Sequence, residues 1–267
     1  QLSSILEQSG VDCVFVALPS QQGDVLRKVV NELERTAVEV RIVPDLFLSR
    51  FPAQVGVGEL DGLPILSLRE NPLAGWPTIY KRAFDIFGAL FGLLVFGLPM
   101  LAIAVAIKFN DGGPVFYRQR RISYGRRAFN MIKFRTMVLG AEEKGAAFTA
   151  PNDTRCTPLG RVLRSWSLDE LPQLFNVLTG DMSLVGPRPE RPEMLAKIRA
   201  EVPGFPQRLV VRAGLTGWAQ INGFRGRTSF RKRLQYDLYY VNNWSPLLDL
   251  RIVIATFFRG FKHPNAY

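Results

Sequence analysis

The sequence predicts an α+β protein in two parts: a partial doubly wound αβ domain over residues 1–75, and a mostly helical, monotopic membrane domain over residues 76–267. The second part is expected to hold a re-entrant helix–break–helix and a small β-hairpin. Three observations lead there. Charge divides the chain, with a net −4 over residues 1–75 and a net +15 over residues 76–267. A charge-free apolar run from Ile86 to Ile107 opens the basic part. Strand and helix patterns alternate in the acidic part and become chiefly helical in the basic one.

Residues 11–18 (VDCVFVAL) form a short apolar run typical of a buried strand. An amphipathic helix follows, with Val25, Val29, Val30 and Leu33 on one face, then strands at 38–44 (VEVRIVP) and 63–68 (LPILSL). That order is part of a parallel, doubly wound sheet. No G-x-G-x-x-G fingerprint is present, so a structural or regulatory role is favoured over nucleotide binding. Residues 71–78 (NPLAGWPT) read as the linker.

The 86–107 segment is long enough to span a bilayer, which needs roughly 20 apolar residues. Its flanks point elsewhere. Lys81 and Arg82 precede it, and Lys108, Arg118, Arg120 and Arg121 follow, so positive charge marks both ends as cytoplasmic. Gly97 and Pro99 lie past the midpoint, where proline removes a helix hydrogen bond. The segment is therefore read as dipping into one leaflet and returning, with a spanning helix and a buried soluble helix as alternatives. Asp85 at its mouth is expected at the membrane interface, because a carboxylate in lipid is costly.

PVFYRQRR (114–121) and RAFNMIKFRTM (127–137), joined by a turn at Tyr124-Gly125, predict a hairpin. Helical periodicity returns at 171–178 and 230–241. The last segment, NNWSPLLDLRIVIATFFRGFKH, suits equally a helix lying in the membrane interface and a helix packed on the core.

Composition narrows the chemistry. His263 is the only histidine, which excludes Ser-His-Asp and Cys-His catalysis and any zinc site that needs two histidines. Cys13 and Cys156 are far apart and suggest neither a disulfide framework nor a metal site. No signal peptide is recognisable, and the abrupt start is consistent with a fragment of a longer protein. A basic domain seeks polyanions: nucleic acid, anionic lipid or phosphorylated small molecules. The apolar run favours the last two, and a nucleic-acid partner is not expected. Catalysis, if any, falls to carboxylates and cations.

Asp169 and Glu170 stand directly before the 171–178 helix pattern, with Pro172 in its first turn. They could simply cap that helix, since acids and proline belong at a helix N-terminus. They could equally supply a nucleophile toward phosphorus and a Mg²⁺ site, because Mg²⁺ takes one or two carboxylates plus phosphate oxygens. The two readings are compatible. Arg188 is framed by Pro187 and Pro189, which hold its backbone extended and present the guanidinium at low entropic cost as a phosphate clamp. Arg164, Lys133 and Arg135 are further cationic candidates around the same motif.

From Lys81 to Tyr267 the chain resembles the bacterial sugar transferase family, the monotopic polyprenyl-phosphate phosphoglycosyl transferases. The pieces that carry the resemblance are KRAFD (81–85), GPVFYRQRR (113–121), KFRTM (133–137), RSWSLDELPQLFNVLTGDMSLVGPRPE (164–190) and RAGLTGWAQINGFRG (212–226). They cover about seven-tenths of the chain, and the central motif is highly specific. The acidic part resembles the later half of the Rossmann-like domain that precedes the catalytic part in larger members. The resemblance implies that Asp169 attacks the β-phosphorus of a UDP-sugar, releasing UMP and leaving a phosphosugar on the enzyme. Undecaprenyl phosphate in the leaflet then takes the phosphosugar. Glu170, with Asp169, would hold Mg²⁺; Arg188 and Arg164 would neutralise phosphate charge, with weaker assignments for Lys133 and Arg135. RLQYDLYYVNNWSPLLDL and the terminal NAY resemble members that start exopolysaccharide repeat units, which favours UDP-glucose as donor. Trp166 departs from the family, standing where a small polar residue is usual. The implied setting is the cytoplasmic face of the bacterial inner membrane, among membrane lipids, as a homodimer. A non-catalytic membrane-surface scaffold of a polysaccharide assembly complex is the competing reading.

Overall fold

The computed structural model describes residues 13–18, 22–33, 38–43, 56–60, 63–69, 75–141, 153–226 and 228–259, together with Leu6, Val11, Thr36 and Leu73. Residues 56–60 and 63–69 are described by backbone alone. In the front part, β1 (Cys13–Ala17), α1 (Gly23–Leu33) and β2 (Glu39–Val43) form a βαβ unit whose two strands pair in parallel. β4 (Leu63–Arg69) then joins β2 antiparallel and pairs with β3 (Gly56–Leu60), giving the order β1-β2-β4-β3. The expected all-parallel sheet is thus parallel only at β1–β2, because β3 and β4 form an antiparallel hairpin. Val16, Leu33, Val38 and Val40 make a small core. Leu26 rather than Val25 faces it, since Val25 is 44% exposed.

The basic part opens with α2, one helix of 36 residues from Trp76 to Asp111. Pro77 in its first turn and Gly112 in the left-handed conformation after its end supply the start and stop chemistry. The break expected at Gly97–Pro99 is not an interruption, since α2 runs through Pro99. Proline there forgoes one backbone hydrogen bond, a loss that a long apolar helix tolerates. One stripe of α2 faces the protein: Lys81, Asp85, Ala89, Met100 and Ile107 are buried. Gly88 and Gly92 let it approach closely, because a Cβ on Gly88 would lie 2.4 Å from the Leu184 side chain. The opposite stripe is bare: Phe87, Leu94, Leu98 and Phe109 are each more than 70% exposed.

Both ends of α2 are tied to the same body. Arg82 donates to the carbonyls of Val177 and Leu178 at 2.7 and 2.6 Å. At the far end Asp111 pairs with Arg135. Asp85, expected at a membrane interface, is enclosed by the protein itself. It is fully buried and accepts from the Ser183 hydroxyl and the Leu184 N–H, both at 2.9 Å. Lys81 lies 3.3 Å from Asp85 and 2.8 Å from Asp249.

The hairpin forms as the alternation predicts. β5 (Phe116–Ile122) and β6 (Ala128–Phe134) pair antiparallel around a turn in which Gly125 has φ 58°. Then come α3 (Pro158–Ser165), α4 (Gln173–Thr179), β7 (Ser183–Val185), α5 (Pro192–Glu201), β8 (Gly214–Thr216), α6 (Trp218–Ile221), α7 (Phe230–Asn242) and α8 (Pro246–Arg259). β7 and β8 pair in parallel. α8 has two faces: Asp249 and Ile252 are buried against the core, whereas Leu247, Phe257 and Phe258 are exposed. The last eight residues lie outside the described residues.

Candidate active site

The chain reaches the acidic pair through a short, tightly specified path. Thr157 caps α3, its hydroxyl accepting from the Gly160 N–H at 2.9 Å, and Pro158 takes the first helical position. Gly160 brings α3 against the strand end after β6, where a Cβ would stand 2.0 Å from the Thr136 carbonyl oxygen. α3 ends at Trp166, and Ser167 turns the chain in the left-handed conformation, φ 54°. That is an unusual conformation for a residue with a side chain, and such strain concentrates at functional sites. A single 3₁₀ turn, Leu168–Glu170, then carries the acids.

The acids do not cap α4. Pro172 occupies the N-cap position, and no side chain caps that end. Glu170 instead gathers cations. Lys133 from β6 reaches its Oε1 at 3.0 Å, Arg188 reaches Oε1 at 2.6 Å and Oε2 at 3.2 Å, and Arg225 reaches Oε1 at 3.1 Å. Among the described residues, no donor reaches the Asp169 carboxylate, although Asp169 is equally buried. Burial alone would raise both acids. On Glu170 it is outweighed by Arg188, Arg225 and Lys133, which hold the carboxyl well below the usual range. On Asp169 burial prevails over Lys133, with the Glu170 charge adding to it, and the carboxyl is raised. Two adjacent carboxylates whose titrations are driven apart are what distinct chemical roles require.

The arginine between prolines is fixed from beneath. The Pro187 carbonyl accepts from the Gly214 N–H at 2.9 Å and the Pro189 carbonyl from Arg121 at 3.0 Å. Arg208, itself buried, donates to the Arg188 carbonyl and pairs with Asp237 at 2.7 Å. Arg233 holds Glu190 at 2.6 Å. Gly186 and Gly214 permit the β7–β8 contact, since a Cβ on Gly214 would fall 2.1 Å from the Gly186 nitrogen. With its backbone held this way, Arg188 turns its guanidinium to Glu170.

Of the residues singled out from sequence, Asp169, Glu170, Lys133 and Arg188 converge, with Pro187 and Pro189 setting the loop. Arg164 stands beside Cys156, its Nη1 3.2 Å from the sulfur, and lies near enough to favour the Asp169 charge. Arg135 is a correction. It is committed to Asp111 and packed over Gly113, where it locks the end of α2 instead of facing the acids. Arg225 was not singled out, although it lies in the RAGLTGWAQINGFRG stretch. It also bonds the Ser167 hydroxyl at 2.9 Å and so braces the strained turn. Trp166 is 43% exposed and lines an adjacent cavity.

Mg²⁺ fits the donor set in part. Oε1 of Glu170 is saturated by three cations, while Oε2 has one partner and Asp169 none. Among the described residues there is no cluster of three metal-binding side chains, so phosphate oxygens would have to complete the shell.

Residues 76–263 match the model for the family described as bacterial sugar transferase. The chain is 39% identical over 279 residues to the UDP-glucose:undecaprenyl-phosphate glucose-1-phosphate transferase of Xanthomonas campestris pv. campestris, covering 100% of this chain and 56% of that protein. It is 38% identical over 258 residues to the Escherichia coli (strain K12) protein of the same name, covering 95% of this chain and 55% of that one. The UDP-N-acetylgalactosamine-undecaprenyl-phosphate N-acetylgalactosaminephosphotransferase of Aeromonas hydrophila is 43% identical over 178 residues, 66% of this chain and 42% of that protein. The chain thus spans little more than half the length of the first two relatives. The family match covers the apolar helix, the acidic pair and the arginine loop, and on it the chain belongs to the bacterial sugar transferase family.

Proposed function

We propose that this chain carries the catalytic part of a membrane-bound transferase that moves a sugar-1-phosphate, glucose-1-phosphate in the first instance, from a UDP-sugar to undecaprenyl phosphate. One observation carries the reading: of two buried neighbouring carboxylates, Glu170 is saturated with cations and Asp169 is uncommitted. An uncommitted carboxylate beside Lys133, Arg188 and Arg225 is placed to attack a phosphorus whose oxygens those cations hold.

A carboxylate oxygen of Asp169 forms a bond to the β-phosphorus of the donor. The bond from that phosphorus to the bridging oxygen breaks, and UMP departs with the bridging oxygen. An oxygen of the lipid phosphate then attacks the same phosphorus, the Asp169–phosphorus bond breaks, and the carboxylate is restored. Arg188, Arg225 and Lys133 shift part of their attraction from Glu170 to the incoming diphosphate, which limits the reorganisation the step demands. Mg²⁺, when bound through Glu170 Oε2 and Asp169, would supply further neutralisation of phosphate charge. The names of the Xanthomonas and Escherichia relatives favour glucose, whereas the Aeromonas relative is named for an N-acetylgalactosamine donor.

The bare apolar stripes of α2 and α8 support a setting at a bilayer surface. Both ends of α2 are bound to one body by Arg82 and by Asp111–Arg135. That supports a path that enters and leaves the same leaflet, on the cytoplasmic side of the inner membrane. Purified chain in detergent with Mg²⁺, UDP-glucose and undecaprenyl phosphate is expected to release UMP, and Asp169→Asn is expected to lower the rate by at least about 10³-fold. UMP release that survives in Asp169→Asn would remove the covalent route, and folded protein releasing none with any UDP-sugar would favour the scaffold.

A further inference from the structure

A cavity of about 240 Å³ lies between the acidic pair and the apolar helices. Its apolar walls include Phe96 on α2, Leu184 and Leu215 on the paired strands β7 and β8, and Val253 and Phe257 on α8. At one end stand Glu170 and Arg225. Most polar groups in its lining are turned on one another, and among the described residues the buried Gln220 Oε1 has no partner. The Thr216 and Thr256 hydroxyls lie 2.6 Å apart, Thr256 donates to the Ile252 carbonyl at 2.8 Å, and the Gln220 amide donates to the Leu215 carbonyl at 3.2 Å. What remains for an occupant is chiefly hydrocarbon, with the paired Glu170 and Arg225 and the Gln220 Oε1 as its polar features.

That combination excludes most of the donor. A sugar or a uracil carries hydrogen-bonding groups on every edge and would lose them against this wall. An alkyl or isoprenoid chain would not. The cavity is also smaller than the roughly 300–1,000 Å³ of a pocket that swallows a drug-sized molecule. It suits a short length of chain. Phe257, in its lining, is 60% exposed, and on α2 Val95, next to Phe96, is 48% exposed. A chain that leaves the cavity therefore passes onto surface already fitted to lipid.

We infer that this cavity is the seat of the head-proximal isoprene units of the lipid acceptor, with the lipid phosphate held at the Arg225 end beside Glu170. The inference rests on the proposed reaction for the identity of the lipid and adds where its chain is gripped. Gripping the first units, rather than the tail, fixes the phosphate relative to Asp169 and leaves the remaining chain in the leaflet. The occupant is thus a polyprenyl phosphate; a fatty-acyl phospholipid in the same slot is an alternative outcome of the test.

The test is photo-crosslinking in nanodiscs with a polyprenyl phosphate that carries a diazirine on its second isoprene unit. Label is expected on peptides containing Phe96, Leu215 and Val253–Phe257, and it is expected to be competed by unlabelled polyprenyl phosphate but not by phosphatidylglycerol. Label confined to the outer stripe of α2, or competed equally by phosphatidylglycerol, overturns the assignment. In parallel, Val253→Trp, which fills the slot, is expected to raise the apparent KM for undecaprenyl phosphate about tenfold while the KM for the UDP-sugar stays within about twofold. Equal loss toward both substrates, or no change toward either, counts against the slot. If Val253→Trp does not fold, the cross-linking map of the unmodified chain decides. Slot labelling in a chain that releases no UMP would preserve the cavity assignment and sink the transferase reading instead.

Discussion

Asp169 and Glu170 are adjacent and equally buried, yet their surroundings drive them in opposite directions. The difference is one of partners: three cations close on Glu170, and among the described residues none bonds Asp169. Lys133 is the titratable member of the trio. Burial, against the pull of Glu170, lowers it to about 8. Its charge is therefore present below that pH and lost as pH rises through it. kcat/KM is expected to fall above about pH 8, and Lys133→Arg, whose guanidinium stays ionised, is expected to move that limb out of range. An alkaline limb unchanged in Lys133→Arg would mean that another group is responsible. The sign for stability is opposite. Between about 8 and 10.5 the folded chain holds fewer protons at Lys133 than the unfolded one, so this group favours folding as pH rises through that window. Lys133 and Arg188 were legible because each sits in a local pattern, one on an alternating strand and one between prolines. Arg225 was not, because a single arginine in a glycine-bounded loop has no periodic or capping signal of its own. Arg135 shows the converse: a strand pattern places a cation but not its direction, and just past the end of β6 this one pairs with Asp111.

At the scale of elements, long periodic segments were readable and their junctions were not. α7 spans Phe230–Asn242, within a residue of the expected 230–241, because its pattern is decided by one buried face that includes Arg233, Asp237, Tyr240 and Val241. The β5–β6 hairpin follows from alternation and a glycine at positive φ. β3 carried no such pattern, and with it the antiparallel edge of the front sheet went unread. The junction of α2, α7 and α8 was likewise hidden, since Lys81, Asp85 and Asp249 look from sequence like ordinary flanking charges. In the fold they form a buried cluster, completed by the Tyr240 hydroxyl at 2.8 Å and the Trp244 N–H at 3.1 Å from Asp249. Removing the only cation of that cluster among the described residues leaves two buried carboxylates uncompensated. Lys81→Met is expected to cost about 3–5 kcal/mol, read as a lowered thermal midpoint in detergent. A midpoint within a degree of the unmodified chain would show that the cluster is not holding the helices together.

At the scale of the molecule, a basic body and two bare apolar stripes favour the proposed setting, a membrane surface where a soluble nucleotide and a lipid phosphate would meet. A straight helix of 36 residues would be about 54 Å long, against a hydrocarbon core of about 30 Å. Both ends of α2 nevertheless rest on the body that carries the acids. Cysteines placed at Trp76 and Lys108 are therefore expected to react with an impermeant maleimide from the same side of sealed vesicles. Labelling from opposite sides would make α2 a spanning helix and put its ends in different compartments. Beneath topology and substrate choice lies the claim that Asp169 is the nucleophile, and one measurement reaches it directly. The unmodified chain is incubated with UDP-glucose in the absence of lipid phosphate, quenched, digested, and its peptides are weighed by mass spectrometry. The account predicts a hexose-phosphate adduct on the peptide containing Asp169, formed with one equivalent of UMP and discharged when undecaprenyl phosphate is added. UMP released during turnover with no adduct at any time point, or an adduct on a different residue, would contradict it.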